Sequence, residues 1–143
     1  MKKINKIFTI VFLTIISSNY AQDKNLIGSW IVKHGKNANS IIEFDQEGFA
    51  KFTDENVSYG GKYFLLKGII AAEMKYYTDQ TVTPNKLKFV INFIDFDMKE
   101  YTMLGLYRYL KEDKIELRLS TENLVEFTEF SDSLENTLIL EKQ

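Results

Sequence analysis

Residues 114–120 alternate without a break: Ile115, Leu117 and Leu119 stand on one face, Lys114, Glu116 and Arg118 on the other. That order suits a strand with one side in a core and the other in water. The same period of two recurs after Asp23 in short β-branched and aromatic runs separated by turn residues, far more often than the helical period of 3.6. Nine strands are predicted, at residues 26–33, 40–44, 49–53, 61–66, 70–77, 86–96, 101–110, 114–120 and 137–141. In the fifth, Ala71-Ala72-Glu73-Met74-Lys75 favours helix, while the flanking Ile69-Ile70 and Tyr76-Tyr77 favour strand, and the segment is read as strand. A short helix is expected near residues 124–130.

The connections suit hairpins. Asp45-Gln46-Glu47-Gly48 has Asp first and Gly fourth, the preference of a type I turn, and Lys111-Glu112-Asp113 joins two further strands. The single Pro, Pro84, lies in the polar loop 79–85, a natural mobile rim. Residues 86–96 are apolar on much of both faces, with Leu87, Phe89, Ile91 and Phe93 on one and Val90 and Ile94 on the other. A small barrel with an apolar interior and partial covering outside asks for such a strand, although a two-sheet sandwich also accommodates many short antiparallel strands.

The start of the chain reads differently. Lys2, Lys3 and Lys6 precede an apolar run from Ile7 to Ile16, followed by Ser17-Ser18-Asn19-Tyr20-Ala21. The run is too short for a bilayer core, which needs about 20 apolar residues, and the three-part order is that of a signal peptide cleaved after Ala21. Tyr20-Ala21-Gln22 resembles the end of a bacterial export signal. The expected organisation is therefore a signal peptide at 1–21 and one domain at 22–143, exported to the periplasm or the exterior.

Cleavage removes three Lys and no acid from 18 bases and 20 acids, leaving 15 against 20 and a net charge of −5. Nucleic acid is then an unfavourable partner, because phosphate-backbone binding wants a basic stripe and Lys86-Leu87-Lys88 is the densest basic feature. The chain has no Cys, which excludes disulfides, acylation as a lipoprotein, thiolate metal sites and a Cys nucleophile. With one His, His34, a multi-histidine metal centre is excluded within one chain, and a Ser-His-Asp triad would have to use that residue. His34 falls in a polar loop and is read as an ordinary surface residue.

Asn25-Leu26-Ile27-Gly28-Ser29-Trp30 resembles the Gly-x-Trp opening of lipocalins and related calycins. Gly105-Leu106-Tyr107-Arg108-Tyr109, then Asp113-Lys114-Ile115-Glu116-Leu117, a Glu126-Phe127 or Glu129-Phe130 segment and a closing Leu138-Ile139-Leu140 resemble the end of small bacterial exported lipocalin-like domains. Together these stretches cover about half of the exported part. The resemblance implies an all-β fold, an antiparallel lipocalin-like barrel of about eight or nine strands. It also implies Trp30 as the plug of one barrel end, Gly28 where a neighbouring backbone comes close, and an Arg packed over the Trp. Arg108 and Arg118 are the only arginines. Arg118 lies nearer the end of the barrel, with an exposed strand charge as its alternative reading. Ile31 and the absence of a Thr-Asp-Tyr motif depart from true lipocalins.

No residues are assigned a catalytic or metal-binding role, and no cofactor is implied. Asp95, Asp97 and Glu100 form the densest acidic cluster, but a solvated hairpin end accounts for them, and Glu43-Phe44-Asp45-Gln46-Glu47-Gly48 lacks the ligand spacing of a calcium loop. The remaining signal is aromatic. Met103, Gly105, Tyr107 and Tyr109 share one strand face, and Phe89 and Phe93 share another. If these faces are interior, Trp30, Phe93, Tyr107 and Tyr109 are the residues expected to touch a small hydrophobic or amphipathic ligand. The competing expectation is a filled barrel serving as an envelope protein-interaction module. A binder keeps a cavity of about 300 Å3 or more, whereas an interaction module shows an exposed apolar patch.

Overall fold

The alternating runs form strands. The computed structural model describes residues 22–35, 37–94, 100–120, 127–130 and 136–143. Its strands are β1 (Gly28–His34), β2 (Ile41–Phe44), β3 (Ala50–Asp54), β4 (Val57–Leu66), β5 (Ile70–Asp79), β6 (Asn85–Phe93), β7 (Tyr101–Lys111), β8 (Lys114–Leu119) and β9 (Thr137–Lys142). Residues 127–130 are not helical, and no helix occurs among the described residues. The expected signal segment, residues 124–126 of the expected helix, and Asp95 and Asp97 lie outside the described residues.

Each strand pairs antiparallel with the next, and β9 returns to pair antiparallel with β1, so the sheet closes into a barrel without a free edge. A ring of purely antiparallel neighbours requires an even number of strand directions, and nine elements would leave two neighbours parallel. The extra reversal lies in β4, which has two arms. Its first arm pairs Val57 to Gly60 with β3, and its second pairs Gly61 to Leu66 with β5. Between them Gly60 and Gly61 have φ of +104° and +80°, a conformation that L side chains rarely adopt. A Cβ on Gly60 would also lie 2.4 Å from the Ala50 carbonyl oxygen. Where β4 turns away, Phe49 bridges Lys75 of β5 directly, and the Tyr76 N–H donates to the Gly48 carbonyl at 2.9 Å.

Alternation decides what faces inward. Trp30 and Val32, Ile42 and Phe44, Met74 and Tyr76, Leu87 and Phe89, Ile115 and Leu117, and Leu140 form one buried cluster with Tyr107. Each large side chain fully buried in this way contributes about 1.5–3 kcal/mol relative to leaving it in water. Charged residues take the outer face, where Glu43 pairs with Lys51 at 2.6 Å, Lys114 with Glu141 at 3.1 Å and Arg108 with Glu116 at 2.6 Å. Part of the outer wall is nevertheless apolar and buried, as Ala71, Val90 and Leu106 show. Over β7 and β8 the segment 127–130 packs outside the barrel: Phe127 lies 3.8 Å from the Arg118 guanidinium and Phe130 4.4 Å from that of Arg108.

Candidate functional site

The two ends of the barrel differ in kind. At the end where β1 begins, residues 23–30 fold back as a plug. Trp30 is fully buried, and its indole Nε1 donates to the Leu26 carbonyl at 2.7 Å, which satisfies the polar edge of a ring otherwise sunk in the core. Gly28 has φ of +133°, and a Cβ there would approach the Lys142 side chain to 2.9 Å. The Lys142 ammonium stands 5.3 Å from the Trp30 ring centre and donates to the Asn25 carbonyl at 2.9 Å. Register explains this choice: closure of the ring places Lys142 opposite Trp30. Arg118, the residue expected over the tryptophan, instead pairs in register with Thr137, stacks on Phe127 and donates from Nη1 to the Glu129 carbonyl at 2.9 Å.

Asp23 completes the plug and was not marked by any motif. It is 2% exposed, and its Oδ2 accepts from both Tyr107 and Tyr109 hydroxyls at 2.9 Å. Its Oδ1 accepts from the Asn25 N–H at 3.0 Å, and its own N–H donates to Thr78 Oγ1 at 3.0 Å. The interior Tyr face of β7 is therefore real, but its phenols hold a carboxylate of the same chain. Burial, then the hydrogen bond to Asp23 and its charge, push the Tyr107 and Tyr109 pKa values well above the ordinary value for tyrosine, with Thr78 opposing at Tyr107. Tyr76, whose hydroxyl donates to the Asp45 carbonyl at 3.0 Å, is pushed up to about 12 by burial and then by the charges of Asp45 and Asp23. Phe44 packs edge-on against Tyr76 at 4.9 Å and stacks with Phe89 at 6.0 Å, which fills the barrel above the plug.

Toward the opposite end the filling stops. A cavity of about 200 Å3 is lined by Val32, Ile42, Phe52, Met103, Leu119 and Leu138, with Tyr59 and the polar Asn37, Ser40, Thr53, Asp54 and Asn136 around them. Seven strands contribute to it. Phe52 and Tyr59, paired across β3 and β4, stack nearly parallel at 5.5 Å. Ser40, 8% exposed, donates its hydroxyl to Asp54 Oδ1 at 2.9 Å.

The residues expected to touch a ligand thus separate into two groups, neither of which lines this cavity. Trp30, Tyr107 and Tyr109 belong to the plugged end, and Phe93 packs against the core opposite Ala72. Of the strand face that pointed to the phenols, only Met103 lines the cavity. His34 ends β1 as an exposed residue, and Glu100 is exposed. No group of three or more His, Cys, Asp or Glu residues suited to a metal ion occurs among the described residues. No family model, no curated protein and no solved structure matches the chain.

Proposed function

We propose that the protein is an exported, non-enzymatic lipocalin-like binder that takes the apolar part of a small amphipathic molecule into the half of its barrel opposite the Trp30 plug. The observation that carries this reading is the 200 Å3 apolar cavity in a barrel otherwise filled to the plug. It falls below the roughly 300 Å3 or more expected of a binder of drug-sized ligands, but exceeds a cavity of about 150 Å3 that binds benzene. Its volume suits a short alkyl chain or a single ring. Six apolar side chains supply the surface, and amides and hydroxyls at the rim offer a polar head its partners. Charges outside and apolar residues within are the reverse of the arrangement in a barrel that spans a bilayer, which supports a role in aqueous surroundings.

Titration with hexan-1-ol, followed by the methyl NMR signals of Met103, Leu119 and Leu138, tests the reading. Saturable shifts at these methyls are expected, with those of Met103 and Leu119 absent in a Leu138→Trp variant of unchanged stability. Shifts confined to surface methyls, or unchanged by the substitution, would refute it.

A second reading is favoured by one observation. Val57, Tyr63, Leu65 and Ile69, on β4 and the turn after it, are 66%, 63%, 49% and 79% exposed. Such a set suits a protein partner, with the barrel as the rigid support. A protein that co-purifies stoichiometrically and is released by Leu65→Asp would favour that reading.

A further inference from the structure

The rim of the cavity has a sign. Asp54, the last residue of β3, is the one charged side chain among the described residues of the lining. It is fixed there by the Ser40 hydroxyl, which donates to Oδ1 at 2.9 Å and leaves Oδ2 as the oxygen that an incoming group can reach. Beside it stand Phe52 and Tyr59, stacked on each other at 5.5 Å, with Phe89 against Phe52 at 5.2 Å. The carboxylate is felt at its neighbour: the Tyr59 pKa is raised by burial and then by the charge of Asp54. The other polar groups among the described residues of the lining are neutral amides and hydroxyls. Among the described residues of the lining, a carboxylate or phosphate headgroup would meet a like charge and no cation, whereas an ammonium group would meet a carboxylate.

From this arrangement, and resting on the ligand-binding reading above, we infer that the ligand is a small apolar amine, bound with its chain or ring among Phe52, Met103 and Leu138 and its ammonium group on Asp54. Cavity volume selects the apolar part and the rim selects the head. The same chain ending in a carboxylate is discriminated against, and a neutral alcohol lies between the two.

The test compares hexylamine, hexan-1-ol and hexanoate at neutral pH, where the first is a cation and the last an anion, by titration of the Met103 methyl signal in the wild-type protein and in Asp54→Asn. Attraction and repulsion at an exposed carboxylate each change affinity by up to about fivefold, so hexylamine is expected to bind roughly tenfold tighter than hexanoate. In Asp54→Asn, where the side-chain oxygen still accepts from Ser40, that ratio is expected to fall to about one while hexan-1-ol still shifts the Met103 methyl. Hexanoate binding as tightly as hexylamine, or a preference that survives Asp54→Asn, would overturn the amine assignment while leaving the cavity as a binding site. If hexan-1-ol and both charged probes all fail to shift Met103, the ligand-binding reading fails, and this assignment fails with it.

Discussion

Substituting Asp23 tests whether the N-terminal plug is held by its buried carboxylate. In Asp23→Ala the Tyr107 hydroxyl, on a fully buried side chain, loses its acceptor, as does the hydroxyl of the half-buried Tyr109. A buried polar group left without its partner costs about 1–3 kcal/mol. The net expectation is a loss of about 3 kcal/mol, or roughly 10–15 °C in Tm for a domain of this size. Tyr107→Phe alone removes one hydrogen bond to a charged acceptor and is expected to cost about 1.5–3 kcal/mol. The two changes should not add. Once Asp23 is gone, deleting the Tyr107 hydroxyl removes an unpaired group, and the double variant should be no less stable than Asp23→Ala. Urea unfolding of the wild type, both single variants and the double variant, each starting at Gln22, gives the coupling energy directly, and a value of about 1.5 kcal/mol or more is expected. Additive single effects, with coupling under about 0.3 kcal/mol, would refute the network.

Other consequences follow from the same packing. Tyr76, Tyr107 and Tyr109 stay protonated in the fold above pH 10, where the unfolded chain ionises; their stabilisation is complete below pH 10 and lost as pH rises. Unfolding free energy should fall by up to about 1.4 kcal/mol per pH unit for each phenol, less where solvent reaches the ring, and phenolate absorbance from these three should appear only with unfolding. Trp30→Ala should cost about 3–5 kcal/mol in thermal unfolding, and a change under about 1 kcal/mol would contradict the plug. Lys142→Ala should shift the emission of Trp30, the sole tryptophan, while Arg118→Ala should leave it unchanged; the reverse result would place the wrong cation over the ring. Gly60→Ala should cost about 3 kcal/mol or more, from a strained φ and contact with the Ala50 carbonyl, and a near-neutral effect in urea would refute the two-armed account of β4.

Alternation made the strands legible because it is enforced at each position by a wall with a dry side and a wet one. β8 and β7 carry that pattern plainly, and the face of β7 bearing Met103, Tyr107 and Tyr109 does point inward. The first arm of β4 escaped reading because Val57, Ser58 and Tyr59 are all exposed and have no buried face to set a period; they are held by the ladder to β3 and the stack of Tyr59 on Phe52. The use of the phenols was illegible for a different reason. Their acceptor, Asp23, lies 84 and 86 residues away and meets them only through closure of the ring. Closure also decides that Lys142 rather than an arginine covers Trp30, and it assembles the cavity from seven strands whose relative register no local pattern encodes. Lipocalin-like resemblance anticipated the barrel, but the residues around the cavity are ordinary strand residues until the ring brings them together.

The central claim is that the cavity between Val32, Phe52, Met103 and Leu138 holds a small molecule. Native mass spectrometry of the protein purified from its own host, with solvent extraction of whatever travels with it, tests this most directly. The account predicts a one-to-one adduct of a small amphipathic amine that is missing from the Leu138→Trp variant prepared in parallel. A bare protein mass in both preparations, with a stoichiometric protein partner in their place, would contradict the claim and move the function to the exposed face of β4.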